Sequence, residues 1–213
     1  MRPRRSALFM PGINRRAMEK ARSLACDVII FDLEDAVAAD SKIHARGLVQ
    51  EAIEQGGYGN RELVVRCNGS ETSWWHDDIE ALVTTGADGL LFPKVEQVEQ
   101  VVEVREHLDA SDGPRKDIWV MIETPRGVTN VEKIAESPAD VLVMGTSDLV
   151  ADLRARHSDN RDSVLYALSR CVNAARSEHR DVLDGVHLDL ENKRTFERIC
   201  EQGRNLGFDG KCL

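Results

Sequence analysis

Positive charge is what this 213-residue chain lacks first: 28 Lys and Arg stand against 37 Asp and Glu, a formal net charge of −9. Binding by counterion release needs a basic face, so the balance speaks against a nucleic-acid partner. Long apolar runs are missing too. The longest are strand-sized pieces such as Val28-Ile29-Ile30-Phe31, far short of the ~18 residues of a spanning helix, so no membrane partner is expected. The basic start Met1-Arg2-Pro3-Arg4-Arg5 passes straight into Ser6-Ala7-Leu8-Phe9-Met10 without the apolar stretch and cleavage site of an export signal. The cysteines, Cys26, Cys67, Cys171, Cys200 and Cys212, are odd in number and form no C-x-x-C pair. Neither a disulfide framework nor a zinc knuckle follows, and a reducing cytoplasm is the expected home. No Pro/Gly/Ser linker, internal repeat or low-complexity tract divides the sequence, so residues 1–213 are expected to form one domain. What is there, 42% hydrophobic and 31% charged residues, is the composition of an ordinary globular chain.

Short β-branched runs alternate with helical patterns along the whole length. Strands are expected at 6–10, 28–33, 63–67, 89–92, 118–122, 141–144, 185–188 and 208–211. Amphipathic helices are expected at 14–25, 41–55, 75–85, 95–108, 129–136, 161–179 and 192–206. In 161–179, for example, Val164, Leu165, Leu168, Cys171, Val172 and Ala175 fall on one helical stripe. Strict alternation means parallel strands with helical crossovers, and eight strands favour closure into a (β/α)8 TIM barrel. The eighth strand falls at the end of the sequence, so the last barrel helix is lacking. Either the chain is cut short or an oligomeric neighbour covers that edge.

Chemistry in such a barrel gathers where strands end and loops begin. At those points stand Pro11-Gly12, Asp32-Leu33-Glu34-Asp35, Arg66-Cys67-Asn68, Pro93-Lys94, Glu123-Thr124, Gly145-Thr146-Ser147-Asp148 and Asp189. Several carboxylates crowded together need a cation. Hard oxygen donors with few nearby His and no Cys pair point to Mg²⁺ or Mn²⁺, which take one or two carboxylates and fill their shell with water and substrate oxygens. Glu123 and Asp148 fit as metal ligands, or Asp148 heads a helical turn at 148–153. Arg66 offers a planar fork for a substrate carboxylate or oxyanion, or pairs with Asp32 or Glu34. Lys94 is a Schiff-base or phosphate-binding candidate, or the partner of a nearby carboxylate. Cys67 reads as a packed, inert thiol, and Trp74-Trp75 as a lid or interface pair. Arg2, Arg4, Arg5, Arg15, Arg16, Lys20 and Arg22 form either a solvated face or a grip on a phosphorylated ligand.

The motifs Arg5-Ser6-x-Leu8-Phe9-x-Pro11-Gly12, Asp32-Leu33-Glu34-Asp35-Ala36-Val37, Arg66-x-Asn68, Pro93-Lys94-Val95-Glu96, Ile122-Glu123-Thr124, Gly145-x-x-Asp148-Leu149 and Gly207-Phe208-Asp209-Gly210-Lys211 resemble, in this order, the citrate lyase β-subunit-like family. The likeness runs over essentially the whole chain. It implies a Mg²⁺-dependent TIM-barrel lyase that cleaves or forms the C–C bond of a citryl, malyl or citramalyl thioester of coenzyme A or an acyl carrier protein. The products would be an acetyl thioester and a 2-oxo acid or glyoxylate. By position, Glu123 and Asp148 resemble the metal ligands, Arg66 the anchor of the oxo acid, and Glu34 and Asp35 carboxylates that orient metal waters. Pro11, Gly12, Asn68 and Lys94 are candidate substrate contacts. The resemblance also implies a homotrimer or hexamer. Relatives continue past the eighth strand into a segment carrying a catalytic Asp, so the base here is expected from Glu34, Asp35, water or a piece of chain beyond the given sequence, and Ser147 stands where relatives often have an acid. Other readings of the same residues are a malyl-CoA thioesterase, a class II aldolase acting on free oxo acids, and a catalytically silent subunit that binds 2-oxo acids.

Overall fold

A computed structural model describes residues 2–189 and 191–213. Eight parallel strands close into a barrel in sequence order: β1 (Ser6–Pro11), β2 (Val28–Asp32), β3 (Glu62–Arg66), β4 (Gly89–Phe92), β5 (Asp117–Ile122), β6 (Val141–Met144), β7 (Asp181–Asp184) and β8 (Gly210–Cys212), with β8 pairing β1. The helices are α1 (Arg15–Ala21), α2 (Lys42–Gln55), α3 (Trp75–Leu82), α4 (Val98–Asp109), α5 (Pro125–Glu136), the short α6 (Thr146–Asp152), α7 (Leu165–Ser177) and α8 (Lys193–Leu206). Seven of them cover the barrel between successive strands, and α6 lies in the loop that leads from β6 to α7. This is the expected (β/α)8 TIM barrel, and no helix follows β8 within the chain.

Strands buried on both faces explain the continuous apolar runs. Val28 and Ile30 point into the barrel with Ala7, Val64, Leu91, Trp119, Met121, Val143 and Leu183. Ile29 and Phe31, one residue out of step, pack outward against the helices. The core sits in these two shells.

A device invisible as a sequence repeat closes the N-terminal end. Asp27, Asp88, Asp140 and Asp209 each precede an even-numbered strand. Their carboxylates accept the backbone N–H of Arg5, Leu63, Ile118 and Val182 at the starts of the odd strands, at 2.8, 2.9, 2.8 and 2.7 Å. Inside that ring the odd strands supply one charged layer. The Arg4 guanidinium lies over Trp119 and bonds Glu62, Asp117 and Asp181 at 2.6–2.8 Å.

Most expected elements fall within a few residues of their observed bounds, and two differ in ways that matter. The strand expected at 185–188 is Asp181–Asp184. Its only apolar residues, Val182 and Leu183, are flanked by acids that look like loop in the sequence but are used: Asp181 by Arg4, Asp184 by Arg161 and Lys211. Asp189 therefore lies beyond the strand and is exposed, and Asp184 holds the strand end. The turn expected at 148–153 begins at Thr146, so Asp148 sits in the first turn of α6 rather than heading it. Trp75 is a core residue, edge-on to Phe92 at 4.8 Å between ring centroids, and not half of a lid. The basic N-terminal cluster also separates. Arg2 and Arg5 pair with Asp88 and Asp27 at the barrel end remote from the loops after the strands, while Arg15 pairs with Glu51 on α2. A depression of about 880 Å³ lies at that remote end, and its cationic side chains Arg2 and Arg61 already have partners. Among the described residues no helix is long and apolar enough to cross a membrane, and all five cysteines are free.

Candidate active site

Register builds the mouth. β1, β2 and β3 are aligned so that Pro11, Asp32 and Arg66 form one row at their C-terminal ends. Arg66 shares the inward parity of Val64, and its neighbour in the row, Asp32, takes the fork bidentately: Nε to Oδ1 at 2.7 Å and Nη2 to Oδ2 at 2.6 Å. Only Nη1 is left to face the cavity, 2.9 Å from Glu34 Oε2 and 3.5 Å from Asp35 Oδ2. The guanidinium carbon stands 5.0 Å from the centre of the Phe9 ring. Burial works against its charge, but Asp32, then Glu34 and Asp35, hold the guanidinium pKa above its ordinary value. The sequence offered pairing beside substrate binding; the pairing is present, with Asp32 on Nε and Nη2 and Glu34 on Nη1, and the fork still lines the cavity.

The loop after β2 is held open by backbone bonds. Asp32 accepts the N–H of Glu34 and of Ala36, and the buried Lys42 Nζ donates to the carbonyls of Leu33 and Glu34, 2.7 Å each. Glu34 is thereby fixed between Arg66 and Lys94, whose Nζ donates to Oε1 at 3.3 Å. Burial pushes the Glu34 carboxyl above its usual range.

Across the mouth, Glu123 follows β5 with the inward parity of Trp119 and Met121. It is 1% exposed, and Oε1 accepts the backbone N–H of Lys94 at 2.8 Å. Lys94 adopts a left-handed φ of 51°, which an L side chain seldom occupies, to present that N–H. Ile122 and Met144 are partners in the β5/β6 ladder, so Gly145, the residue just after β6, faces Glu123 directly. A Cβ there would overlap Glu123 Oε2, so glycine is what leaves this oxygen room. Burial, reinforced by Glu34 and Asp148, pushes the Glu123 carboxyl up to about 8.

One cavity of about 250 Å³ is lined by Phe9, Asp32, Asp35, Arg66, Met121, Glu123 and Asp148, with Gly145, Thr146 and Ser147 on the β6 side. The structure thus brings Arg66, Asp35, Glu123 and Asp148 together, with Glu34 immediately behind. Pro11, Gly12, Asn68 and Lys94 are not in its wall. Gly12 lies where a Cβ would press on the Asp32 carbonyl, a close-packing role, and Asn68 is buried on the carboxylate of Asp78. Cys67 and Cys212 are buried and their thiols pushed up, Cys212 to about 12, which makes them inert. The sequence places Asp32 and Gly145 at strand ends and offers Asp32 as a partner of Arg66, but it carries no signal for the packing of Gly145 on Glu123 or for the burial of Lys42.

No group of three or more His, Cys, Asp and Glu among the described residues is placed to hold a metal. A two-carboxylate site suits the donor set better: Glu123, just after β5, and Asp148, in the first turn of α6, are oxygen donors lining one cavity, and a Cβ at position 145 would fill the space beside Glu123 Oε2. The fold defines the class, a closed (β/α)8 barrel whose polar residues line one mouth. The chain belongs to the HpcH/HpaI aldolase/citrate lyase family, whose model matches residues 5–213. It is 43% identical over 212 residues to a (3S)-malyl-CoA thioesterase of Cereibacter sphaeroides, covering 99% of this chain and 73% of that protein. Among solved structures it resembles the citrate lyase beta subunit of M. tuberculosis complexed with oxaloacetate and magnesium, with TM-score 0.84, 30% identity and coverage of 99% and 91%. It also resembles CitE of Mycobacterium tuberculosis in complex with magnesium, acetoacetate and coenzyme A, with TM-score 0.83, 30% identity and coverage of 99% and 76%.

Proposed function

We propose that this chain is a magnesium-dependent enzyme that acts on a short 3-hydroxyacyl thioester of coenzyme A, breaking its C–C bond to give acetyl-CoA and a 2-oxo acid or glyoxylate. The observation that carries the reading is that one small cavity is lined by Glu123, which follows β5, by Asp148 in the first turn of α6 and by Arg66, whose Nε and Nη2 are held by Asp32 while Nη1 pairs with Glu34. Glu123 and Asp148 would hold Mg²⁺, which supplies a Lewis acid for the carbonyl and carboxylate of the oxo acid. Arg66 Nη1 supplies fixed positive charge to the same anion, and Asp32 prevents the fork from turning away. Asp35 lines the cavity and takes the proton of the substrate hydroxyl. As that oxygen becomes a carbonyl, the C–C electron pair passes to the acetyl thioester as an enolate, which is then protonated. Glu34 and Lys42 keep Asp35 and Arg66 in register.

A second reading is hydrolysis of a malyl thioester, favoured by the 43% identity to the thioesterase. Incubation with malyl-, citramalyl- and citryl-CoA and Mg²⁺ separates the two: acetyl-CoA with an oxo acid or glyoxylate marks cleavage, free thiol with malate marks hydrolysis. If no thioester is consumed, or turnover persists in excess EDTA, the proposal is wrong.

A further inference from the structure

Beside the mouth a second cavity, of about 230 Å³, opens between the loops after β6 and β7 and the start of α8. Thr146, Ser147 and Val186 form the wall common to both. Three residues that line the second cavity each carry a buried polar atom without a hydrogen-bond partner among the described residues: Ser147 Oγ, Arg161 Nη2 and His187 Nε2. Leaving such groups unpaired is costly, and all three can donate.

The cavity is also electropositive. Arg161 is 8% exposed and held in a left-handed backbone conformation, φ 57°, a strain that persists only where the surroundings enforce it. Its Nη1 spans both oxygens of Asp184 at 2.6 and 2.8 Å, and its Nε donates to Gln202 at 2.8 Å. Asp184 also accepts from the buried Lys211 at 3.1 Å. Two buried cations thus share one carboxylate, leaving one positive charge unmatched. The other acids of the wall do not match it: Asp159 and Asp189 are exposed, and Asp159 faces Arg198 at 3.4 Å.

Donors fixed in a positive, buried wall suit an oxygen that gains negative charge during a reaction. Both readings of the function make one. In cleavage the C–C electron pair passes into the acetyl thioester, and the charge settles on the thioester carbonyl oxygen until the enolate carbon takes a proton. In hydrolysis water adds to the thioester carbon, the charge settles on the same oxygen, and its return breaks the C–S bond and expels the thiolate. With the oxo-acid end of the substrate at Arg66, Glu123 and Asp148, the thioester carbon lies two carbons further along, and the wall at Ser147 is where the mouth continues into the second cavity.

We propose that the second cavity is the oxyanion pocket of the reaction: Ser147 Oγ and His187 Nε2 donate to the thioester carbonyl oxygen, and Arg161 supplies the positive field behind them. The inference rests on the function proposed above and deepens it by assigning the two donors that act on the thioester end.

Steady-state kinetics with malyl-CoA and Mg²⁺, or with the thioester of the same panel that turns over fastest, report on the thioester end of the site. Calorimetric titrations of the Mg²⁺-loaded protein with pyruvate report on the oxo-acid end. Ser147→Ala and His187→Leu should each lower kcat about a hundredfold or more, with KM within about threefold of wild type and pyruvate affinity unchanged. His187→Gln keeps a donor near the place of Nε2 but does not titrate, and should recover most of that loss. Ser147→Ala carries the test if His187→Leu does not fold. A kcat near wild type in both Ser147→Ala and His187→Leu, or a His187→Gln as slow as His187→Leu, would overturn the inference while leaving the mouth intact. A parallel loss of pyruvate affinity would overturn it too, since both residues would then support the mouth rather than the thioester. A wild-type protein that consumes no thioester fails the proposed function itself, before any substitution is made.

Discussion

Gly145→Ala tests whether the mouth depends on the space beside Glu123. The glycine has φ −99°, open to any residue, so the substitution introduces no backbone strain of the left-handed kind. Its whole effect comes from a methyl group driven into the Glu123 side chain, because the β5/β6 register sets the two residues side by side. Overpacking of this kind costs about 1–3 kcal/mol. For a domain of this size that corresponds to a fall in Tm of roughly 2–4 °C per kcal/mol. The same methyl displaces Oε2, the oxygen left for a metal, so Mg²⁺ affinity should fall at least about tenfold, or 1.4 kcal/mol. Gly47→Ala is the control: it lies within α2 with nothing within 4 Å of a Cβ, and should stabilise by about 0.5–1 kcal/mol with Mg²⁺ affinity unchanged. Melting curves and Mg²⁺ titrations of both variants decide the matter. Wild-type stability and Mg²⁺ affinity in Gly145→Ala would refute the steric reasoning and the place of Glu123 in the metal site together.

Two more outcomes follow from the charges. The Glu123 carboxyl is raised to about 8 in the metal-free fold but is ordinary when unfolded, so the folded state holds the extra proton. The contribution of this one group to stability is then full below the unfolded value near 4.5, falls as pH rises, and is lost above about 8, a change on the order of a few kcal/mol. Glu123→Gln should flatten that decline while abolishing Mg²⁺ binding, and apparent Mg²⁺ affinity of the wild type should rise with pH up to about 8. A pH-independent affinity between 6 and 8 would contradict it. At the other end of the barrel, Arg4→Met strands three carboxylates and should cost about 3–5 kcal/mol, read as a lower Tm, with turnover at low temperature near wild type. A small change in Tm would show that the layer is solvated rather than sealed.

The sequence was most legible where a periodicity repeats. Alternating β-branched runs and helical stripes point to eight strands, their closure and the residues at six of the eight strand ends. It was least legible at β7, where two acids flank only two apolar residues. Their use lies in partners far along the chain, Arg4 for Asp181 and Lys211 for Asp184. The same limit applies to Lys42, a helical lysine whose ammonium is buried against two loop carbonyls, and to Trp75, which packs into the core.

By itself, then, the order of residues determined the barrel and which side chains stand at its rim, because a period of two along each strand and a helix between strands are local properties. Tertiary structure alone decided how those side chains divide their charge. Strand register is set by packing over the whole barrel, and it places Asp32 against Arg66, Gly145 against Glu123, and Arg161 and Lys211 on a single aspartate. Such pairings depend on ångström distances between residues tens of positions apart, which no local pattern encodes.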